Sequence, residues 1–315
     1  MELTQRDAVR AEHVSHAYGL TPALVDVSFS VVPGAMAGLL GPNGSGKTTL
    51  FRLLSTLLEV QTGHLSVSGL DLRTQQILVR RNIGVTFQSP ALDGRLTVAE
   101  NLHCQGRLYG IRQNVLREQI AELALRFRFE DRMSALVSTL SGGLKRRVEL
   151  AKGLLHQPAI VLLDEPTSGL DVWARQEFLA LISEQRRQFG TTVIVATHLM
   201  EEAEQCDSLL LLDRGRVVAL GSPDQLRASL TGERLTIRCR DNTAVKSSLC
   251  AMLEAPCRET GGELAFQIDR AADRLPAVLD RFRDQILSIE AASPSLEDVF
   301  LNLTGHSLRG QEVGT

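Results

Sequence analysis

Gly41-Pro42-Asn43-Gly44-Ser45-Gly46-Lys47-Thr48 stands between an apolar stretch, 36–40, and a helical pattern that starts near Lys47. Glycines at this spacing let successive backbone N–H groups close round phosphate oxygens, and the helix that follows points its positive end at the same charge. Lys47 is placed to reach the β- and γ-phosphates and Thr48 to hold Mg²⁺, so the stretch predicts a nucleoside triphosphate site on a strand–loop–helix unit. A glycine-rich turn with no ligand is the plain alternative. The strand before it and the helix after it weigh against that reading.

Such a site needs a carboxylate for the metal and a base for the attacking water. Residues 160–163 form a short apolar run of the kind that fills a buried parallel strand, and the run ends in Asp164-Glu165-Pro166. Adjacent carboxylates at a strand end are more often solvated surface. Here the fully apolar strand before them places Asp164 on the metal shell and Glu165 on the water.

The 315 residues, 43% hydrophobic and 23% charged, suffice for one large α/β domain and a smaller one. A net charge of −3 argues against an extended nucleic-acid surface, and no nucleic-acid partner is expected. Lys145-Arg146-Arg147 is expected on the solvated face of a helix. The five cysteines show no metal-ligand spacing, and the odd count leaves no complete disulfide set, so reduced cytosolic thiols are expected. Nothing at the N-terminus reads as a secretory signal. Uncharged apolar runs such as 209–212 fall far short of the roughly 20 residues of a spanning helix, so the chain is expected to be soluble on its own account.

Residues 8–230 read as one αβ unit, with strand candidates at 25–31, 36–40, 83–87, 160–163, 192–196 and 208–212. Helical patterns between several of them favour a largely parallel sheet with covering helices. Across about 90–155 the strand signal gives way to helical periodicity at 100–109, 115–127 and 143–155, a helical insertion. From 231 to 305 the pattern is βαββαβ, with a hairpin about Gly261-Gly262 and helices at 243–253 and 271–282; this predicts a small ferredoxin-like α+β domain. A last helix is expected to start at Ser295 as its cap, with Leu296, Val299, Phe300 and Leu303 on one face, before a tail at 306–315.

Further motifs stand in an order that resembles the ATP-binding cassette (ABC) family. Thr139-Leu140-Ser141-Gly142-Gly143-Leu144 is similar to its signature sequence, although Leu144 stands where Gln is usual. Gln88 resembles the Q-loop glutamine, Ser168-Gly169-Leu170-Asp171 the D-loop, His198 the switch histidine, and Tyr18 the aromatic that stacks on adenine. Taken singly, Gln88 reads as a strand-end amide, His198 as a surface or capping histidine, Tyr18 as packing, and Ser141 as a helix N-cap. In the family's pattern, Gly41, Pro42, Asn43, Gly44, Ser45, Gly46, Lys47, Thr48 and Thr49 would hold the phosphates of ATP. Thr48, Gln88 and Asp164 would hold Mg²⁺, and Glu165, His198 and Gln88 would serve hydrolysis.

The resemblance also implies partners. Two cassettes face head to tail, so Ser141, Gly142, Gly143 and Asp171 of one would meet the nucleotide held by the other. This chain has one cassette, which implies a homodimer or a second ATP-binding subunit. Residues 95–102 and 293–305 resemble a bacterial exporter branch that includes daunorubicin-resistance and nodulation-factor ATPases. That implies an ATP-hydrolysing subunit beside a transmembrane permease at the cytoplasmic face of the inner membrane. A soluble ABC ATPase acting on ribosomes or DNA is the alternative. Those types carry two cassettes in one chain or a coiled coil that splits the cassette, and neither feature is present.

Overall fold

A computed structural model describes residues 7–306 apart from 90, 231 and 261. The chain divides into two units between Leu220 and Gly221, ahead of the expected boundary at 230. Gly261 of the expected hairpin, and all of the expected tail except His306, lie outside the described residues.

In the first unit, β1 (Val9–Tyr18) pairs antiparallel with β2 (Thr21–Val31). The sheet order is β2-β1-β4-β5, completed by β4 (Thr62–Val67) and β5 (Leu70–Asp71) after the central β3 (Met36–Leu40). The first strand has no counterpart among the sequence candidates, and its geometry shows why. Register shifts break its two-residue alternation, and His13 opposite Asp26, joined Nδ1 to Oδ1 at 2.7 Å, are both left-handed at φ 52° and 55°.

The central sheet runs β10-β9-β3-β8-β7-β6, from β6 (Ile83–Thr86), β7 (Ile160–Asp164), β8 (Thr192–Thr197), β9 (Ser208–Asp213) and β10 (Arg216–Gly221). The five strands from β9 to β6 are parallel. All of β3 and β8 and the first four residues of β7 are buried, as a sheet covered on both faces requires. In register Leu40 faces Thr197 and Asp164 faces Ala196, so the C-terminal ends of β3, β7 and β8 share one edge. Ligands of open α/β sheets bind at such an edge.

Helix α1 (Lys47–Leu54) follows β3, and α2 (Gln76–Asn82) precedes β6. The insertion holds α3 (Val98–Leu108), α4 (Gln113–Arg126) and α5 (Gly142–Leu154). Each starts slightly ahead of its expected position. A Thr97–Glu100 capping box starts α3 and the Ser141 hydroxyl caps α5, so polar side chains begin both helices before their apolar faces do. α6 (Val172–Phe189) ends at Gly190 with φ 64°, and α7 (Met200–Ala203) leads into β9.

The second unit opens with α8 (Pro223–Ala228), which packs on α11 (Leu296–Thr304). Between them run β11 (Glu233–Cys239), α9 (Asn242–Leu253), β12 (Cys257–Thr260), β13 (Glu263–Ile268), α10 (Ala271–Phe282) and β14 (Ile286–Ala292). The antiparallel order β12-β13-β11-β14 is that of a split βαβ, ferredoxin-like unit. Leu235 and Ile237 of β11, Phe266 of β13, Leu249 of α9 and Val278 of α10 fill its core. Ser295 forms a capping box with Asp298, and Arg234 holds that carboxylate at 3.2 Å. Leu296, Val299 and Phe300 are buried as expected, whereas Leu303 is exposed.

Candidate nucleotide-binding and hydrolysis site

The loop from Gly41 to Gly46 leaves β3 and enters α1 without a side-chain cap at the helix start, and inside it Ser45 N bonds Pro42 O at 3.2 Å. Gly46 at φ 106° caps the helix, and a Cβ there would meet Ala23 O and Leu24 Cδ2, each at 2.8 Å. At Gly41 a Cβ would meet Leu212 O at 2.3 Å and Ser45 Oγ at 2.6 Å. Backbone from β2 and β9 therefore presses the loop into shape, and only glycine fits. Lys47 Nζ lies inside the loop, donating to Gly41 O at 2.6 Å and Pro42 O at 2.9 Å. The Ser45 hydroxyl is buried with no partner among the described residues, Thr48 is exposed in the first turn of α1, and Thr49 is buried.

Across the sheet edge, Glu165 is gripped from two sides. Gln88 Nε2, just beyond β6, donates to its Oε2 at 2.8 Å, and His198 Nδ1, just beyond β8, meets its Oε1 at 3.0 Å. Three parallel strands thus deliver one residue each to a single hydrogen-bonded set. Glu165 itself adopts φ 44°, a left-handed conformation that side chains rarely take, while its N–H bonds Ala196 O at 2.8 Å.

Charge around this edge is out of balance. Burial pushes the Asp164 carboxyl above its ordinary range and adjacent Glu165 adds to the shift, while Lys47, Arg52 and Arg146 oppose it. Burial lowers Lys47, against the pull of Glu165 and then Asp164. A cation-bearing polyphosphate suits this arrangement, supplying anion to the lysine and positive charge to the carboxylates. Among the described residues no cluster of three or more His, Cys, Asp or Glu side chains is placed to hold a metal alone. A hydroxyl, an amide oxygen and one carboxylate beside phosphate oxygens nevertheless make a donor set of the kind Mg²⁺ accepts.

Tyr18 ends β1 with its ring exposed and edge-on to buried His16 at 5.1 Å. It pairs with Thr21, and residues 23–24 of the same hairpin touch Gly46, which puts Tyr18 on the strand pair that borders the phosphate loop.

Ser141, Gly142, Gly143 and Asp171 lie together elsewhere on this unit. Ser141 Oγ accepts from Leu144 N at 3.3 Å and caps α5, and Asp171 Oδ1 accepts from Ala174 N at 2.9 Å and caps α6. A Cβ on Gly143 would meet Ala174 Cβ at 3.3 Å and one on Gly142 would meet Leu170 Cδ2 at 3.7 Å, so the two helix starts abut. Val172 and Trp173 beside them are exposed.

The basic run at 145–147 corrects the expectation of a solvated face. Arg146 is buried, donating to Phe87 O at 2.6 Å, Gln88 O at 2.5 Å and Glu149 Oε2 at 2.8 Å. Glu149 in turn accepts from Ala91 N at 2.8 Å, and Lys152 donates to Ala91 O at 2.5 Å. Arg147 is mostly buried too, against Glu177 at 2.7 Å. Side chains spaced three apart on α5 thereby clamp the backbone that carries Gln88. The one signal in the sequence was this Arg-x-x-Glu-x-x-Lys spacing, which places the three on one side of a helix.

A phosphate loop between β3 and α1, with acidic and histidine side chains on the neighbouring strand ends, defines a P-loop nucleotide-hydrolysing domain. Residues 24–168 match the family described as ABC transporter. The daunorubicin resistance ATP-binding protein of Streptomyces coeruleorubidus is 35% identical over 97% of this chain and 98% of its own. The Nod factor export ATP-binding protein I of Rhizobium meliloti is 37% identical over 96% and 89%. Among solved structures, cbiO1 of Clostridium perfringens, part of an ABC transporter complex, superposes with a TM-score of 0.66 at 27% identity over 70% of this chain and 91% of its own. The chain belongs to the ABC transporter family as an ATP-binding subunit, and it is an ATPase. Subunits of this kind work with membrane permeases as peripheral components. Among the described residues no helix is long and apolar enough to cross a membrane.

Proposed function

We propose that this chain is the motor subunit of a bacterial exporter, closing as a dimer on two ATP at the cytoplasmic face of the inner membrane and driving a separate permease. The observation that carries the hydrolytic reading is the bridge from Gln88 through Glu165 to His198, at 2.8 and 3.0 Å. Export is supported by relatives named for drug resistance and Nod factor export.

The loop amides and Lys47 would hold the β- and γ-phosphates, Lys47 exchanging its bonds to Gly41 O and Pro42 O for bonds to the substrate. Thr48, Asp164 and Gln88 would hold Mg²⁺, which would supply positive charge beside the phosphates. Glu165 orients the attacking water and takes its proton, and His198 fixes the Glu165 carboxylate from the other side and faces the γ-phosphate. Catalysis is then positioning and charge stabilisation. Tyr18 would stack on adenine. Ser141, Gly142, Gly143 and Asp171 would contact the nucleotide held by the second cassette.

The test is ATPase activity of the chain alone and after co-expression in membranes with the protein encoded next to it, for wild type and Glu165→Gln. Permease-stimulated turnover, cut by roughly 10²–10⁴ in the variant with ATP still bound, is expected. Trp173, the chain's only tryptophan, should shift its emission to the blue as Glu165→Gln closes on ATP. Full activity without a permease would point to a soluble ABC ATPase, and near-wild-type turnover in the variant would remove Glu165 from the role of base.

A further inference from the structure

The hydrolytic reading leaves one buried carboxylate unused. Glu202 lies on α7, four residues beyond His198, and is fully buried, as is Thr167, two residues beyond Glu165. Glu202 Oε1 accepts from the Thr167 N–H at 3.2 Å and from the Thr167 hydroxyl in a very short contact. Burial pushes its carboxyl up, and the bonds from Thr167, the neighbouring Thr197 hydroxyl and the charge of Arg175 only partly offset this. An apolar residue would fill the same space with no such desolvation cost. Its neighbours show what the carboxylate does there.

Glu165 is held in a left-handed conformation directly before Pro166, where backbone sterics favour extended structure instead. Strain of this kind persists only when surrounding contacts over-determine it. The turn after it is closed by Ser168 N to Glu165 O at 3.1 Å and Leu170 N to Thr167 O at 3.1 Å, and Thr167 is the polar residue in it that is buried. On the other side, the segment carrying His198 is pinned by Leu199 N to Thr197 Oγ1 at 2.9 Å and continues straight into α7. Besides the backbone bond from Glu165 N to Ala196 O, the segments bearing Glu165 and His198 therefore meet through side chains in two places, at the open end through their own and in the interior through Thr167 and Glu202.

We infer that Glu202 is a positioning residue for ATP hydrolysis: by binding both donors of Thr167 it keeps the Glu165 backbone in its strained conformation and its carboxylate in register with His198. Glu202 touches no reacting atom. It fixes the distance between the two side chains that do, so removing it impairs turnover and spares nucleotide binding, which rests on the loop before α1.

The inference rests on the reading of Glu165 as base, and Glu165→Gln serves as the reference. In the full chain with its permease, kcat and KM for ATP are measured for Glu202→Ala, Glu202→Gln, Thr167→Val and Thr167→Ser, with nucleotide affinity measured separately. Glu202→Ala and Thr167→Val should each lower kcat at least tenfold with ATP affinity within twofold of wild type. Thr167→Ser restores the hydroxyl and Glu202→Gln retains an accepting oxygen, so both should keep at least half of wild-type kcat. The Glu202→Ala/Thr167→Val double variant should be no slower than the slower single one, because one contact is being removed twice. Should Glu202→Ala fail to fold, the near-isosteric Thr167→Val and its Thr167→Ser rescue decide the matter. Wild-type kcat in Thr167→Val, or equal loss in Thr167→Val and Thr167→Ser, overturns the inference while an inactive Glu165→Gln leaves the hydrolytic reading standing. An active Glu165→Gln overturns both.

Discussion

The sheet edge that carries Lys47, Glu165 and His198 and the exposed helix starts at Ser141 and Asp171 belong to one unit but are built in opposite ways. At the edge, residues far apart in sequence bind one another, Gln88 and His198 both holding Glu165 beside a loop that Lys47 fills locally. At the helix starts, Ser141 and Asp171 each bind a backbone N–H three residues on, within their own helices. The first region is ordered by the chain's long-range contacts. The second is two open caps beside exposed Val172 and Trp173, the face proposed to meet a second cassette.

The largest effect expected from this contrast is complementation between inactive variants. Lys47→Ala removes the phosphate-loop cation, and Ser141→Arg places bulk on the exposed cap. Alone, each should fall to background ATPase. Mixed in equal amounts and allowed to exchange, they should recover about a quarter of wild-type activity, since half the dimers are mixed and each of those keeps one intact composite site. No recovery in a mixture shown to contain mixed dimers would mean that Ser141 acts within its own chain.

The contrast also explains what was legible in the sequence. Phosphate loop, acid pair and histidine were readable because each follows an apolar strand and the chemistry fixes its residue types; a buried parallel strand announces itself as an unbroken apolar run. The order of the C-terminal βαββαβ elements was readable for the same local reason. What escaped depends on tertiary context. β1 is hidden by its bulges at His13 and opposite Asp26. Arg146 looked like surface because a charged side chain is normally solvated, and only tertiary packing brings Phe87 O and Gln88 O to it beside Glu149 on its own helix, which lets it be buried. Glu202 was silent because its partner, Thr167, is distant in sequence and adjacent only after β7 and β8 pair.

Two positions at the start of α5, its exposed cap Ser141 and buried Arg146, sharpen the comparison in terms of stability. Arg146→Leu leaves Glu149 buried without its charged partner and should cost about 3–5 kcal/mol, with the Q-loop backbone released. Ser141→Ala removes a long cap bond to solvent-facing backbone and should cost about 0.5–1 kcal/mol. Denaturant unfolding of both variants checks the ratio. An Arg146→Leu chain within 1 kcal/mol of wild type, on the order of a surface change, would show that the buried clamp carries no more than the exposed cap.

The smallest effect has the opposite sign. Ionising Asp164 works against burial and against Glu165 beside it, so its folded-state pKa lies above that of the unfolded chain. A carboxyl shifted upward costs no stability below its unfolded pKa, where both states hold the proton; the cost grows as pH rises from there through the folded value and is constant above it. Asp164→Asn removes that cost. Without nucleotide, the variant should melt on the order of 1–3 °C above wild type at neutral pH, with the difference closing as pH falls through the ordinary carboxyl range. Gln88, by contrast, holds Glu165 and not Asp164, so Gln88→Ala should give no such gain. If Asp164→Asn is no more stable than wild type at neutral pH, or if its advantage persists in acid, the carboxylate is not under electrostatic load. If the gain appears as stated, the sheet edge carries a negative charge against burial that a cation beside Asp164 would relieve.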